Sequence, residues 1–275
     1  MRRGLAVFDW MTGMIGLSLL RFFRTVQRIG SFALITVGVG ITKIFVARRV
    51  IFPAVQQQLA RAGVRLLPII GFIGAAVGFM IIGPTLLLLS QVGQVGLTGD
   101  LLAMVVVREV APVVAALVVL ARVGTATVVE LGTARALGEV ETLESLGIDP
   151  IHFLVVPRVV GLTVSVMALT VYLTLIALGC SWLFALVTNL PYPFAVYFGY
   201  IASALEWYDF GLIGAKTATF GAVSAMVVCY HGLAQPVRIE DVSAATTRTV
   251  AQCVVAFGLI DALFLIPNLM LWTRH

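Results

Sequence analysis

The sequence predicts an all-α integral membrane protein, with five transmembrane helices preceded by amphipathic interfacial helices and interrupted by a short cytoplasmic helix. Three observations lead there. The 275 residues are 60% hydrophobic and only 11% charged, whereas a soluble domain carries roughly a quarter charged residues. Mean hydropathy is +1.07. The apolar residues also gather into runs long enough to cross a bilayer, for which a helix needs about 20 residues. Disordered, collagenous and disulfide-stapled classes are excluded, since Cys180, Cys229 and Cys253 sit inside apolar stretches and read as packing residues.

Residues 1–65 form a basic amphipathic or interfacial segment. Ten of the eighteen Lys and Arg lie between Arg2 and Arg65, opposed there by Asp9 alone. Such a block suits an anionic membrane surface, and in so apolar a chain nucleic acid is set aside. Arg21, Arg24 and Arg28 recur at three-to-four-residue spacing while Leu20, Phe23, Val26 and Ile29 fall elsewhere around the helix, as in a helix lying along the bilayer. Asp9 and Trp10 interrupt the first apolar run, so a cleaved signal peptide is not expected. Ser31 to Val46 is short, broken by Gly38 and Gly40 and followed by Arg48 and Arg49. It reads as interfacial or re-entrant, with a sixth span as the alternative.

Residues 66–275 carry the spans. Leu66 to Ser90, Leu101 to Val123, His152 to Val187 and Val250 to Trp272 are long and apolar. Phe210 to Tyr230 is the fifth, with Lys216 expected near an interface or facing a cavity. Gly71, Gly74 and Gly78 give the first span a small-residue stripe, suited to close helix packing within one subunit or to making room for an acyl chain. Lys and Arg in short loops favour the cytoplasm. The basic N-terminal block, the stretch from Arg122 to Arg158 and the stretch from His231 to Arg248 are therefore assigned inside. Gln91 to Asp100 and Thr188 to Asp209 hold no Lys or Arg and are assigned outside, which puts the N-terminus in the cytoplasm and the C-terminus in the periplasm.

Between Glu130 and Asp149 the chain changes character. Five of its thirteen acids, Glu130, Glu139, Glu141, Glu144 and Asp149, stand there against the single base Arg135. Leu137, Val140, Leu143 and Leu146 recur every third residue, and Gly147 and Asp149-Pro150 give a stop signal. The segment from Glu130 to Pro150 therefore reads as a short amphipathic cytoplasmic helix. Arg135 and Glu139 are spaced for an i,i+4 pair in the weaker order, contributing only a few tenths of a kcal/mol. The acids are better explained by a partner than by helix stability, the alternative being an ordinary solvated face.

Other chemistry is sparse. A phosphate-cradling Gly-Lys-Ser/Thr loop is missing, because the two lysines follow Thr42 and Ala215, so the chain is not expected to hydrolyse ATP. His152, His231 and His275 are isolated, and no metal site is expected. Arg108, Glu109, Arg122 and Asp261 lie at or near span ends, where charges are costly unless paired. Arg108, Glu109, Arg122 and Glu130 are read as structural ion-pairing groups, with a proton relay as the sharper alternative. Phe72, Phe79, Ile82, Leu86 and Leu89 supply an uncharged first span, which reads as the lining of an apolar cavity.

Glu141-Thr142-Leu143, Gly147 and Pro157 resemble a loose form of the cytoplasmic coupling motif of ABC-transporter permeases. More specific are Arg108-Glu109-Val110-Ala111-Pro112-Val113, Ala121-Arg122-Val123-Gly124-Thr125-Ala126, Glu130-Leu131-Gly132-Thr133-Ala134-Arg135, Leu146-Gly147-Ile148-Asp149-Pro150, Pro157-Arg158 and Ala245-Thr246-Thr247-Arg248. In this order they resemble the signature of the MlaE (YrbE-type) permease family, over roughly Gly71 to Asp261. The resemblance implies a homodimeric inner-membrane permease that moves phospholipids between membranes. It implies a cytoplasmic ATPase that binds the ATP and magnesium, a periplasmic MCE-domain protein and a small STAS-type subunit, with Glu130, Arg135, Glu139, Glu141, Glu144, Asp149 and Pro150 on the ATPase side. The chain departs from the family at Gly138-Glu139, at Pro84 and at Val237 to Ser243, which puts the ATPase contacts and the first span near Pro84 in question. The competing reading is an ion-coupled secondary transporter of a hydrophobic solute. That calls for paired carboxylates or broken helices at mid-membrane, of which the sequence of the spans offers almost none. A lipid-modifying enzyme would need clustered nucleophiles or metal ligands that the sequence does not supply.

Overall fold

The computed structural model describes residues 27–36, 38, 48–190, 192–233 and 241–272, and the described chain is helical almost throughout. The basic repeat of Arg21 and Arg24, and most of Ser31 to Val46, fall outside the described residues. Residues 27–36 are helical and rest on the bundle through Phe32, whose ring meets Tyr230 edge-on at 5.9 Å.

α1 (Arg48–Ala62) leads through a tight turn (Val64–Leu66) into α2, which stacks Leu67–Val77, Gly78–Ile82 and Gly83–Gln91 end to end. α3 (Val95–Ala136) and α4 (Glu139–Ser145) follow, then α5 (Ile151–Val187), the short α6 (Phe194–Ala204), α7 (Trp207–Leu233) and α8 (Val242–Trp272). Among the described residues five helices are long and apolar enough to cross a membrane: Phe52–Gln91, Val95–Ala136, Ile151–Val187, Trp207–Leu233 and Val242–Ile266. The five predicted spans are these, several of them longer than hydropathy alone suggested. The second runs on to Ala136, and the last starts eight residues early at Val242.

Proline accounts for three of the widened turns, while a fourth, Leu120–Gly124, has no proline after it. Pro84, Pro112 and Pro157 each sit at the start of a regular stretch, and each follows a widened π-type turn, Gly78–Ile82, Leu102–Val110 and Ile151–Val155 respectively. A helical proline removes one backbone donor and presses on the carbonyl four residues back, and widening the turn relieves both faults without ending the helix. The first span therefore passes Pro84 unbroken.

α5 is the central rod, with α1, α2, α3 and α7 packed around it. The main core joins Ile70, Ala115, Val119, Leu162, Leu169, Leu173, Phe220 and Phe257 from five of these helices. A second cluster, at the end that carries α6, joins Ile82, Leu86, Val106, Ala185, Tyr197 and Ile201. Close approach of α2 to α5 needs the missing side chain of Gly78, where a Cβ would lie 2.9 Å from Cys180 Cβ and 3.1 Å from Ser181 N. The small-residue stripe is thus used within the chain.

Candidate functional site

The acidic segment is built differently from the single helix its periodicity suggested. α3 carries Glu130 and Arg135, and the chain then breaks at Leu137-Gly138, where Gly138 takes φ +76°. A residue with a side chain is strained in that conformation, so the glycine ends the long helix. Only Glu139–Ser145 forms the separate helix α4, and Gly147 at φ +75° turns the chain back toward α5. Asp149 Oδ1 accepts the Ile151 N–H at 3.0 Å, so Asp149-Pro150 caps α5.

Val140 is the one fully buried side chain of α4, in a cluster with Leu131 of α3, Val155 of α5 and Leu233 of α7, and α4 packs chiefly on the end of α3. The rest of the segment faces outward, with Leu137, Leu146 and Ile148 exposed and Glu139, Glu141 and Glu144 exposed beside them. A shallow, mostly apolar cavity of about 310 Å³ opens between α4 and Phe153 and Leu154. The expected Arg135–Glu139 pair does not form. Arg135 lies 3.7 Å from Glu141 instead, because the break at Gly138 rotates α4 out of register with α3. Both groups are well exposed, so this pair adds little stability. Glu130 lies exposed at the bundle end, accepting from Arg61 at 3.1 Å and Arg158 at 3.3 Å.

The five apolar residues singled out on the first span divide between two faces. Phe72 is 77% exposed and Phe79 38%, with Met80 and Leu88 beside them, and the Phe79 ring stands edge-on to Phe184 at 6.1 Å. Ile82 and Leu86 are sealed inside the chain's own core against α5 and α6, and Leu89 is half-buried.

Two charge clusters lie within the bundle. Lys216 of α7, 2% exposed, donates to Glu109 Oε2 at 2.6 Å and to the Arg108 carbonyl at 2.9 Å. Its ammonium also lies 2.6 Å from Asp261 Oδ1, off the line of a good hydrogen bond, so that contact is Coulombic. The cluster ties α3, α7 and α8 together. Nearby, Arg108 donates to Asp209 Oδ2 at 2.8 Å, and the same oxygen accepts the Glu206 N–H at 3.0 Å at the start of α7. The carboxylates that seemed scarce in the spans are therefore present and paired. Arg108, Glu109, Glu130 and Asp261 all form ion pairs, while Arg122 has none among the described residues.

Asp209 escaped the sequence reading, and Lys216, expected near an interface or facing a cavity, is instead buried and paired; the acceptors of Arg108 and Lys216 lie 101 and 107 positions away. A usable signal existed: a lysine inside a span must find an acid, and Glu109 and Asp261 were the acids inside other spans. Among the described residues no three His, Cys, Asp or Glu side chains gather closely enough to hold a metal ion. At the α6 end, the Tyr197 and Ser181 hydroxyls meet at 2.7 Å, and burial pushes the Tyr197 hydroxyl up to about 12.

Comparison with known proteins places these features. The family described as Permease MlaE matches residues 55–266. The intermembrane phospholipid transport system permease protein MlaE of Haemophilus influenzae is 28% identical over 89% of the chain and 92% of its own length. A probable ABC transporter permease protein of Rickettsia bellii is 30% identical over 84% of the chain and 88% of its own. The chloroplastic protein trigalactosyldiacylglycerol 1 of Arabidopsis thaliana is 28% identical over 74% of the chain, and the match spans 58% of that longer protein.

Proposed function

The chain belongs to the MlaE permease family, and from that premise we propose that it is the membrane subunit of an ABC transporter that moves phospholipids between the inner and outer membranes. It works as a homodimer, with a cytoplasmic ATPase docked on α4 and a periplasmic MCE-domain protein at the opposite end. A STAS-type subunit completes the assembly. ATP and magnesium are bound by the ATPase and not by this chain.

The observation that carries the reading is the build of α4. Its buried anchor, Val140, belongs to one cluster with residues of α3, α5 and α7, while Leu137, Leu146, Ile148 and three glutamates stand exposed for a partner. A push on that exposed face is delivered through Val140 to the ends of three spans, and a packed core passes it on as rigid-body motion. Gly138 and Gly147 bracket the helix as turning points. With α4 in the cytoplasm, the N-terminus lies inside and the C-terminus in the periplasm.

The exposed face of α2 supports the lipid path. Phe72, Phe79, Met80 and Leu88 form an uncharged strip on which an acyl chain avoids water, and each methylene kept dry is worth roughly 0.8 kcal/mol. Two copies facing each other across this strip enclose a cavity for two tails. The Glu109–Lys216–Asp261 cluster favours a second reading, coupling to an ion gradient. Transport that persists without ATP hydrolysis and stops with a protonophore would select it.

The deciding experiment is co-purification with the ATPase. Reversing Glu141 and Glu144 to lysine touches only exposed groups, so the melting temperature should stay unchanged while the ATPase is lost. Undiminished co-purification and ATPase rates would sink the docking role of α4.

A further inference from the structure

Between α1 and α3, at the end of the bundle that carries α4, lies a cavity of about 400 Å³ that neither the lipid path nor the α4 surface uses. Its walls hold three guanidinium groups, Arg61, Arg65 and Arg122, against a single carboxylate, Glu130. That carboxylate is already engaged by Arg61 and by Arg158. Arg65 and Arg122 have no ion-pair partner among the described residues. The walls thus carry three positive charges against one neutralised negative charge, and two of the three are uncommitted.

Gln58 adds a further donor. It lines the same cavity and is 8% exposed, its stem laid against Gly161 of α5 so closely that a Cβ there would come 2.5 Å from Gln58 Cγ. Its amide makes no hydrogen bond to any described residue. The stem is buried while the amide reaches the open cavity, free to donate beside two uncommitted arginines. Guanidinium forks and an amide N–H suit phosphate oxygens, which accept several donors at once.

The remaining wall identifies which phosphate. Leu66, Val123 and Ala126 line the cavity, and Val64 and Val129 beside them are exposed, so the arginines stand at the edge of the apolar flank. A free phosphate ion would make no use of that flank. A phospholipid uses both, with its phosphate on Arg65, Arg122 and Gln58 and its acyl chains along Val64 and Val129. Basic pockets between membrane helices near an interface are suited to anionic headgroups. We infer that this cavity binds the headgroup of an anionic phospholipid, which then bridges α1 to α3 as a bound lipid of the folded permease.

The test uses the full chain in maltoside micelles, titrated in turn with dioleoyl phosphatidylglycerol, dioleoyl phosphatidylcholine and inorganic phosphate, with binding followed by native mass spectrometry and thermal shift. Phosphatidylglycerol should bind and raise the melting temperature, and the other two should not match it. Arg65→Gln with Arg122→Gln should weaken phosphatidylglycerol by roughly 25-fold, about fivefold for each guanidinium. Arg65→Lys with Arg122→Lys should retain most of the binding. Gln58→Leu, with every charge intact, should also weaken it, which keeps the proposal open to refutation if the arginine variant misfolds. Undiminished phosphatidylglycerol binding in the glutamine or leucine variants would overturn the site. Equal binding of inorganic phosphate would overturn its assignment to a lipid, and equal binding of phosphatidylcholine would overturn its selectivity for anionic headgroups.

Discussion

Replacing Lys216 with methionine keeps the length and apolar stem of the side chain and deletes its charge. Glu109 and Asp261 then face each other across the position of an ammonium that lay 2.6 Å from each. Removing one member of a buried ion pair costs about 3–5 kcal/mol, because the partner is left charged and uncompensated. The two carboxyl side chains here keep 25% and 33% exposure, which admits water and screens the stranded charges. The low end of that range, about 3 kcal/mol, is therefore expected, a fall of roughly 6–12 °C in melting temperature for a chain of this size. Thermal unfolding of the full-length chain in detergent measures it. The triple variant Lys216→Met, Glu109→Gln, Asp261→Asn removes the stranded charges and should regain most of the loss. A single variant that melts like the unaltered chain, or a triple variant no better than the single, would refute the view that this cluster clamps α3, α7 and α8.

Three further outcomes follow from the geometry. Gly78→Ala should destabilise by about 1–3 kcal/mol through overpacking against Cys180 and Ser181 of α5, whereas Gly211→Ala, whose Cβ would meet nothing within 4 Å, should be neutral or stabilising by up to about 1 kcal/mol; parallel melting curves decide between them. A photo-crosslinking scan of the assembled transporter should capture phospholipid at Phe72, Phe79 and Leu88 and not at Ile82 or Leu86, and capture confined to α7 or α8 would move the lipid path elsewhere. Burial raises the Tyr197 hydroxyl from 10.0 to about 12, so its contribution to stability is whole below pH 10 and is lost as the pH rises toward 12, when the unfolded chain ionises first. Tyr197→Phe should flatten the stability profile between those pH values, and an unchanged profile would count against the burial of the Tyr197 hydroxyl.

The number and order of the spans were legible in the sequence because crossing a bilayer is a local requirement. Each residue of Leu66 to Ser90 or His152 to Val187 contributes its own transfer free energy, whatever it later touches. The acid-rich stretch after Glu130 was legible for the same reason, as a composition that a span would not tolerate. The inner division of that stretch was not: the periodicity of Leu137, Val140, Leu143 and Leu146 fits one helix, and the backbone conformation of Gly138 makes two. The sequence could also identify α2 as apolar all round, but which side is core depends on where α5 packs, and Gly74, Gly78 and Gly83 let α5 approach the side of Ile82 and Leu86. Tertiary structure alone brought Lys216 between Glu109 and Asp261 and Arg108 to Asp209. Those pairings depend on the rotation and depth of helices far apart in sequence, which are fixed by the fit of side chains across the interface and not by the composition of either helix.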